Sequence, residues 1–155
     1  MTEEHSVWMK IALKEAEKAY DMGEVPVGCI IVFEKKIIAK SFNRIESLND
    51  STAHAEMMAL TSAFASLESK VLEGCSMYVT LEPCSMCAGA IVLSKLDNLY
   101  FGAYDNKTGA CGSVLNITNN PYLNHSVNVY GGILDAECGI LLKAFFETKR
   151  DITPH

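Results

Sequence analysis

The chain has 155 residues, 49% hydrophobic and 21% charged, which is the balance of a globular protein with a real core and excludes a disordered or fibrous chain. Its net charge of −6 and pI near 5.2 count against a broadly basic nucleic-acid-binding surface and leave room only for a local basic patch. No apolar run approaches the roughly 18 residues that span a membrane, and the acidic start Met1-Thr2-Glu3-Glu4 is unlike a signal peptide, so a cytoplasmic protein with no membrane partner is expected.

Residues 6 to 21 have helical periodicity, with Val7, Trp8, Ile11, Ala12, Ala16, Ala19 and Tyr20 on one apolar face, Ser6 as the expected N-cap and Gly23 after the end. Val27 to Phe33 and Lys36 to Phe42 read as two strands joined by a tight Glu34-Lys35 turn. Residues 43 to 53 read as polar loop. A second helix is expected from about His54 to Glu68, a strand over Ser76 to Leu81, a helix over Ser85 to Lys95 and a strand around Leu99 to Gly102. Asp105 to Pro121 reads as irregular, Val127 to Tyr130 as a strand, and Asp135 to Lys149 as a final helix. Strands alternating with helices, with no repeat or linker, predict one α/β domain over residues 1–155, with helices on both faces of a sheet. In a reducing compartment the six cysteines are thiols, and Cys29, Cys75, Cys111 and Cys138, each alone among apolar or small residues, read as packing residues.

The pattern that carries chemistry is His54-Ala55-Glu56 followed by Pro83-Cys84-Ser85-Met86-Cys87. Pro83 suits a helix start, which puts Cys84 and Cys87 on one face of the first turn, where the helix dipole favours thiolates. His54 and Glu56 would point about 200° apart on a continuous helix. They can share a site only if His54 sits at the very start of its helix, and Ser51 or Thr52 ahead of it makes a start there reasonable. One imidazole and two thiolates leave a fourth tetrahedral position open, the mark of a catalytic zinc. H-x-E with P-C-x-x-C is the signature of zinc nucleobase deaminases, in which the carboxylate moves protons and does not bind the metal. Three plainer readings stand beside it: a thioredoxin-like redox pair, a structural zinc that recruits Cys111 or His125 as fourth ligand, and His54 as an ordinary capping residue. His5 and His125 otherwise read as surface or structural.

On these motifs, together with Gly23-Glu24-Val25-Pro26-Val27-Gly28, Asn43-Arg44, Tyr78 to Glu82, Phe101-Gly102-Ala103, Lys107-Thr108-Gly109, Asn124-His125 and Phe145-Phe146, the chain resembles the bacterial tRNA-specific adenosine deaminases of the cytidine deaminase superfamily over about Gly23 to Arg150. The resemblance implies a three-layer α/β/α fold with a mixed five-stranded sheet, a homodimer with one Zn2+ per subunit, and conversion of adenosine to inosine at the wobble position of a tRNA anticodon stem-loop. It implies His54, Cys84 and Cys87 as zinc ligands, Glu56 as proton shuttle, and Asn43 and Val27 as contacts to the purine. It further implies Asp105, Asn106 and Lys107 in a loop touching the anticodon, and Phe145, Phe146, Lys149 and Arg150 on a C-terminal RNA-contacting helix. Read alone, Asn43 makes a turn, Asp105 to Gly109 is a turn, and the two phenylalanines are core. A deaminase of free cytosine, guanine or a nucleoside shares the same zinc site, and a non-catalytic RNA-binding subunit on this fold would be expected to lack Glu56.

Overall fold

A computed structural model describes residues 3–152, with side chains from 3 to 149. Helix α1 runs Glu3–Asp21, strands β1 and β2 Gly28–Phe33 and Lys36–Phe42, and a one-turn helix α2 Ile45–Leu48. Helix α3 spans Ala55–Leu67, β3 Cys75–Leu81, α4 Ser85–Ser94, β4 Asn98–Ala103, β5 Asn128–Tyr130 and α5 Asp135–Ile152. The sheet order is β2-β1-β3-β4-β5. β1 is antiparallel to both β2 and β3, whereas β3, β4 and β5 are mutually parallel. This is the expected mixed five-stranded sheet.

The central strands β1, β3 and β4 are almost continuously buried, as strands covered on both faces must be. Helices α1 and α5 pack on each other and on β3 and β4, while α3 and α4 pack on each other and α3 lies on β1 and β2. Gly28 sets how closely α1 seats on the sheet. A Cβ there would lie 2.0 Å from the Ala12 carbonyl oxygen and 2.4 Å from the Ala16 nitrogen, so only glycine fits. His5 is structural: its Nδ1 lies 2.7 Å from the Tyr78 hydroxyl, and its ring heads a stacked row through Tyr100 to Tyr78 and Tyr130 across β3, β4 and β5. His125 is structural too, with Nε2 2.7 Å from the Leu96 carbonyl oxygen. Cys29, Cys75, Cys111 and Cys138 are buried free thiols, as their surroundings in the sequence indicate.

Three local expectations need correction. Among the described residues helix α1 already runs from Glu3, so Ser6 lies inside it and is not its N-cap; Glu3 and Glu4 complement the positive helix end. The polar stretch 43–53 contains α2, held by a carboxylate 22 residues away in sequence, as described below. Neither Ser51 nor Thr52 caps α3; His54 occupies that position. The Glu34-Lys35 turn forms as expected, with both residues at positive φ, 50° and 61°, the geometry of a type I′ hairpin built without glycine. Among the described residues no helix is long and apolar enough to cross a membrane.

Candidate active site

The site forms where the N-termini of α3 and α4 meet. His54 is the N-cap of α3, in extended backbone at φ −75° and ψ 149°, and Glu56 is in the first helical turn. The backbone turns into the helix between them, which removes the angular conflict of a continuous helix. Cys84 is the N-cap of α4 and Cys87 lies one turn on. His54, Cys84 and Cys87 offer donor atoms all within 4.8 Å of one another, and they form the one such group of three among the described residues. Neither Cys111 nor His125 joins it. Cys111 is buried, with Sγ 4.0 Å from the Pro83 carbonyl oxygen, and burial pushes its thiol up to about 12.

His54 Nδ1 lies 3.6 Å from each cysteine Sγ. A tetrahedral zinc with Zn–S of about 2.3 Å and Zn–N of about 2.05 Å requires N···S separations of about 3.6 Å. The donor set therefore fits zinc in chemistry and in spacing. The hydrogen bond from Cys87, helped by His54, pushes the Cys84 thiol down to about 4 against the cost of burial, and the same bond and burial push Cys87 up. The hydrogen bond to Cys84 raises His54 above its ordinary value, with burial opposing. Glu56 is only 4% exposed, and burial raises its carboxyl to about 7, where a group can both take and give a proton near neutral pH.

His54, Glu56 and Cys84 line a cavity of about 240 Å³, while Cys87 is wholly buried. Val27, Asn43, His54, Glu56, Asp105 and Phe146 are among its lining residues. Asn43 Oδ1 accepts the N–H of Ala55 at 2.8 Å, so this side chain, not a hydroxyl next to the helix, satisfies the exposed end of α3. Lys107 and Asn106 sit beside the cavity in a contiguous groove of about 440 Å³, together with Tyr104 and Leu142. Phe145 is a core residue, edge-on to Tyr20, while Phe146 is 48% exposed and faces both cavities. Lys149 lines neither; its Nζ lies 5.6 Å from the Phe145 ring centroid. The side chain of Arg150 lies outside the described residues.

Two buried carboxylates that the sequence does not single out brace the walls. Glu24 accepts the backbone N–H groups of Glu46 at 3.0 Å and Ser47 at 2.7 Å, the first turn of α2, on the Asn43 side. Burial works against its ionisation, yet these N–H groups hold its carboxyl below the ordinary 4.5. Glu82 accepts donors from the 105–113 loop on the opposite side. Leu81, Thr108, Val25 and Ile45 complete the lining; none of the four is given a role of its own by the sequence.

A mixed sheet sandwiched by helix pairs, with an imidazole, two thiols and a buried carboxylate at two helix N-termini, defines a zinc-hydrolase class of site. The profile of the cytidine and deoxycytidylate deaminase zinc-binding region matches residues 2–103, and the chain belongs to that family. It is 46% identical over 144 residues to the tRNA-specific adenosine deaminase of Bacillus subtilis strain 168, covering 93% of this chain and 89% of that one. A solved structure from biochemical and structural studies of A-to-I editing by tRNA:A34 deaminases at the wobble position of transfer RNA superimposes with a TM-score of 0.83. It is 41% identical and covers 86% of this chain and 96% of its own. A guanine deaminase from Nitrosomonas europaea is similar at 26% identity and a TM-score of 0.72, covering 88% of this chain and 81% of its own.

Proposed function

We propose that the protein hydrolyses adenosine to inosine at the wobble position of a tRNA anticodon, with zinc held by His54, Cys84 and Cys87 and with Glu56 moving the protons. The observation that carries this reading is the buried Glu56 carboxyl at a cavity that His54 and Cys84 also line, with Cys87 completing the group of three metal donors. Relatives that act on tRNA support the substrate.

Zinc in such a donor set supplies Lewis-acid activation of water near neutral pH. Glu56 accepts a proton from the attacking water and delivers it to the ring nitrogen beside C6. It then assists protonation of the departing amine, so adenine and water become hypoxanthine and ammonia. Val27 forms one wall for the purine. Asn43 has its oxygen committed to Ala55, which leaves its Nδ2–H to donate to a ring acceptor. The base must leave its stack to enter, which a single-stranded anticodon loop permits. Asp105, Lys107 and Phe146 grip that loop at the cavity mouth, and Lys149, late in α5, contacts phosphate.

A second copy of the chain covers the outer face of α3 and α4, where Leu93 is 80% exposed and a cleft of about 420 Å³ is lined by Leu48, Met57 and Met58. The active protein is thus a homodimer with one zinc per subunit, working in the cytoplasm where thiols stay reduced. Sedimentation measures the first point: a monomer at micromolar concentration refutes it.

The test of the activity offers the purified protein an anticodon stem-loop with adenosine at its first anticodon position, alongside free guanine, cytosine and cytidine. Inosine in the stem-loop is expected, and Glu56→Ala keeps its zinc while the rate falls by roughly 10²- to 10⁴-fold. Turnover of free bases alone favours the second reading, a free-base deaminase, for which the likeness to the guanine deaminase is the supporting observation.

A further inference from the structure

Glu82 is 2% exposed, and the one salt bridge found among the described residues, Lys18–Glu15, does not involve it. A buried carboxylate without a cation must be met by hydrogen-bond donors. Here four converge on it. Oε1 accepts the Asp105 N–H at 3.1 Å and the Ser113 hydroxyl, and Oε2 accepts the N–H groups of Cys111 and Ser113, each at 3.1 Å. The loop presses on the carboxyl so closely that a Cβ on Gly109 would stand 2.6 Å from Oε2 and 2.4 Å from the Asp105 carbonyl oxygen.

The order passes outward from there. Asp105, fixed through its own N–H, accepts the N–H groups of Lys107 and Thr108 at 3.0 Å and the Thr108 hydroxyl at 2.8 Å. Asp105 and Thr108 are wall residues of the catalytic cavity. Inward, Glu82 precedes Pro83 and Cys84, and its own N–H donates to the Ala103 carbonyl at 2.9 Å. One side chain thus joins the metal-binding turn to the loop that carries the wall residues Asp105 and Thr108.

We propose that Glu82 is a positioning residue for substrate: its carboxylate sets the 105–113 loop against the metal turn, so the grip on the flipped nucleotide depends on a group whose carboxyl is wholly occupied by protein donors. This rests on the function proposed above. The carboxylate is required because all four partners donate. In Glu82→Gln one oxygen becomes an NH2 group. The Ser113 hydroxyl can turn round to accept from it, but a backbone N–H, of Asp105 or of Cys111 and Ser113, then faces another donor.

The experiment uses the zinc-loaded dimer or monomer as purified, with wild type, Glu82→Gln, Ser113→Ala and Gly109→Ala. It measures zinc content, kcat and KM on the anticodon stem-loop, and amide hydrogen exchange. Expected for Glu82→Gln is full zinc, kcat within about threefold, KM raised at least about tenfold, and exchange at Asp105, Cys111 and Ser113 faster by about tenfold or more. Ser113→Ala, which removes one donor, moves KM the same way by less. Gly109→Ala mimics Glu82→Gln and carries the test where that variant does not fold. Unchanged KM with faster exchange, or lost zinc and kcat at constant KM, overturns the proposal. A wild type inactive on RNA defeats the functional reading instead, and unchanged loop exchange in Glu82→Gln then defeats the positioning role separately.

Discussion

Asn43 does two separable things, and two substitutions tell them apart. Its Oδ1 closes the N-terminus of α3, the helix whose N-cap is the metal donor His54, and its Nδ2–H is free at the cavity. Asn43→Ala removes the cap and leaves the buried Ala55 N–H without a partner. Loss of a capping side chain costs about 0.5–2 kcal/mol and an orphaned buried donor about 1–3 kcal/mol, overlapping terms that together give about 2 kcal/mol. For a chain of this size that is a fall in Tm of roughly 4–8 °C. Asn43→Asp keeps an acceptor for Ala55, adds a negative charge at a helix N-terminus, and removes the donor. Its Tm is expected within about 3 °C of wild type. Its kcat/KM on the stem-loop is expected to fall about 10- to 100-fold for the lost bond to the base. Calorimetry and steady-state kinetics on both variants decide the matter. A Tm for Asn43→Ala equal to that of wild type would refute the capping argument, and full activity in Asn43→Asp would refute the contact to substrate.

Chelation of zinc at neutral pH abolishes activity and lowers Tm, by about 2.7 kcal/mol of linkage where free zinc had stood at a hundred times its Kd. In the stripped protein a thiol alkylator modifies Cys84 first, because its thiol is the depressed one; labelling that starts at Cys87 contradicts the assignment. Glu24→Gln costs about 1–3 kcal/mol at pH 7. Because the native carboxyl titrates below 4.5, that stability is present above 4.5 and disappears as pH falls through the native value, so urea midpoints of the two proteins converge in acid. Lys35→Gly relieves a non-glycine residue at φ 61° and raises stability by about 0.5–1 kcal/mol, read as a higher urea midpoint.

The parts of the site that side-chain type announces were legible in the sequence. Pro83 marked the start of α4, and the two-residue spacing of His54 and Glu56 itself required a helix boundary between them, which is where the chain puts it. Phe145 and Phe146 were not told apart in the sequence, where both read alone as core; the fold buries Phe145 and leaves Phe146, one residue on, exposed at the cavity. Glu24, Glu82 and the cap from Asn43 were not legible. Apart from the Ser113 hydroxyl, their partners are backbone N–H groups 12 to 31 residues away, and a backbone amide has no letter in the sequence. The same lack hid α2, whose four residues are too few for periodicity to register and which owes its first turn to Glu24.

Because Glu24 and Glu82 brace the pocket through buried dipoles and not through ion pairs, added electrolyte has almost nothing there to screen. The catalytic chamber keeps its shape from dilute buffer to molar salt. Any decline of kcat/KM with ionic strength therefore belongs to the polyanion outside it, and the slope of that decline counts the phosphates that this acidic protein holds.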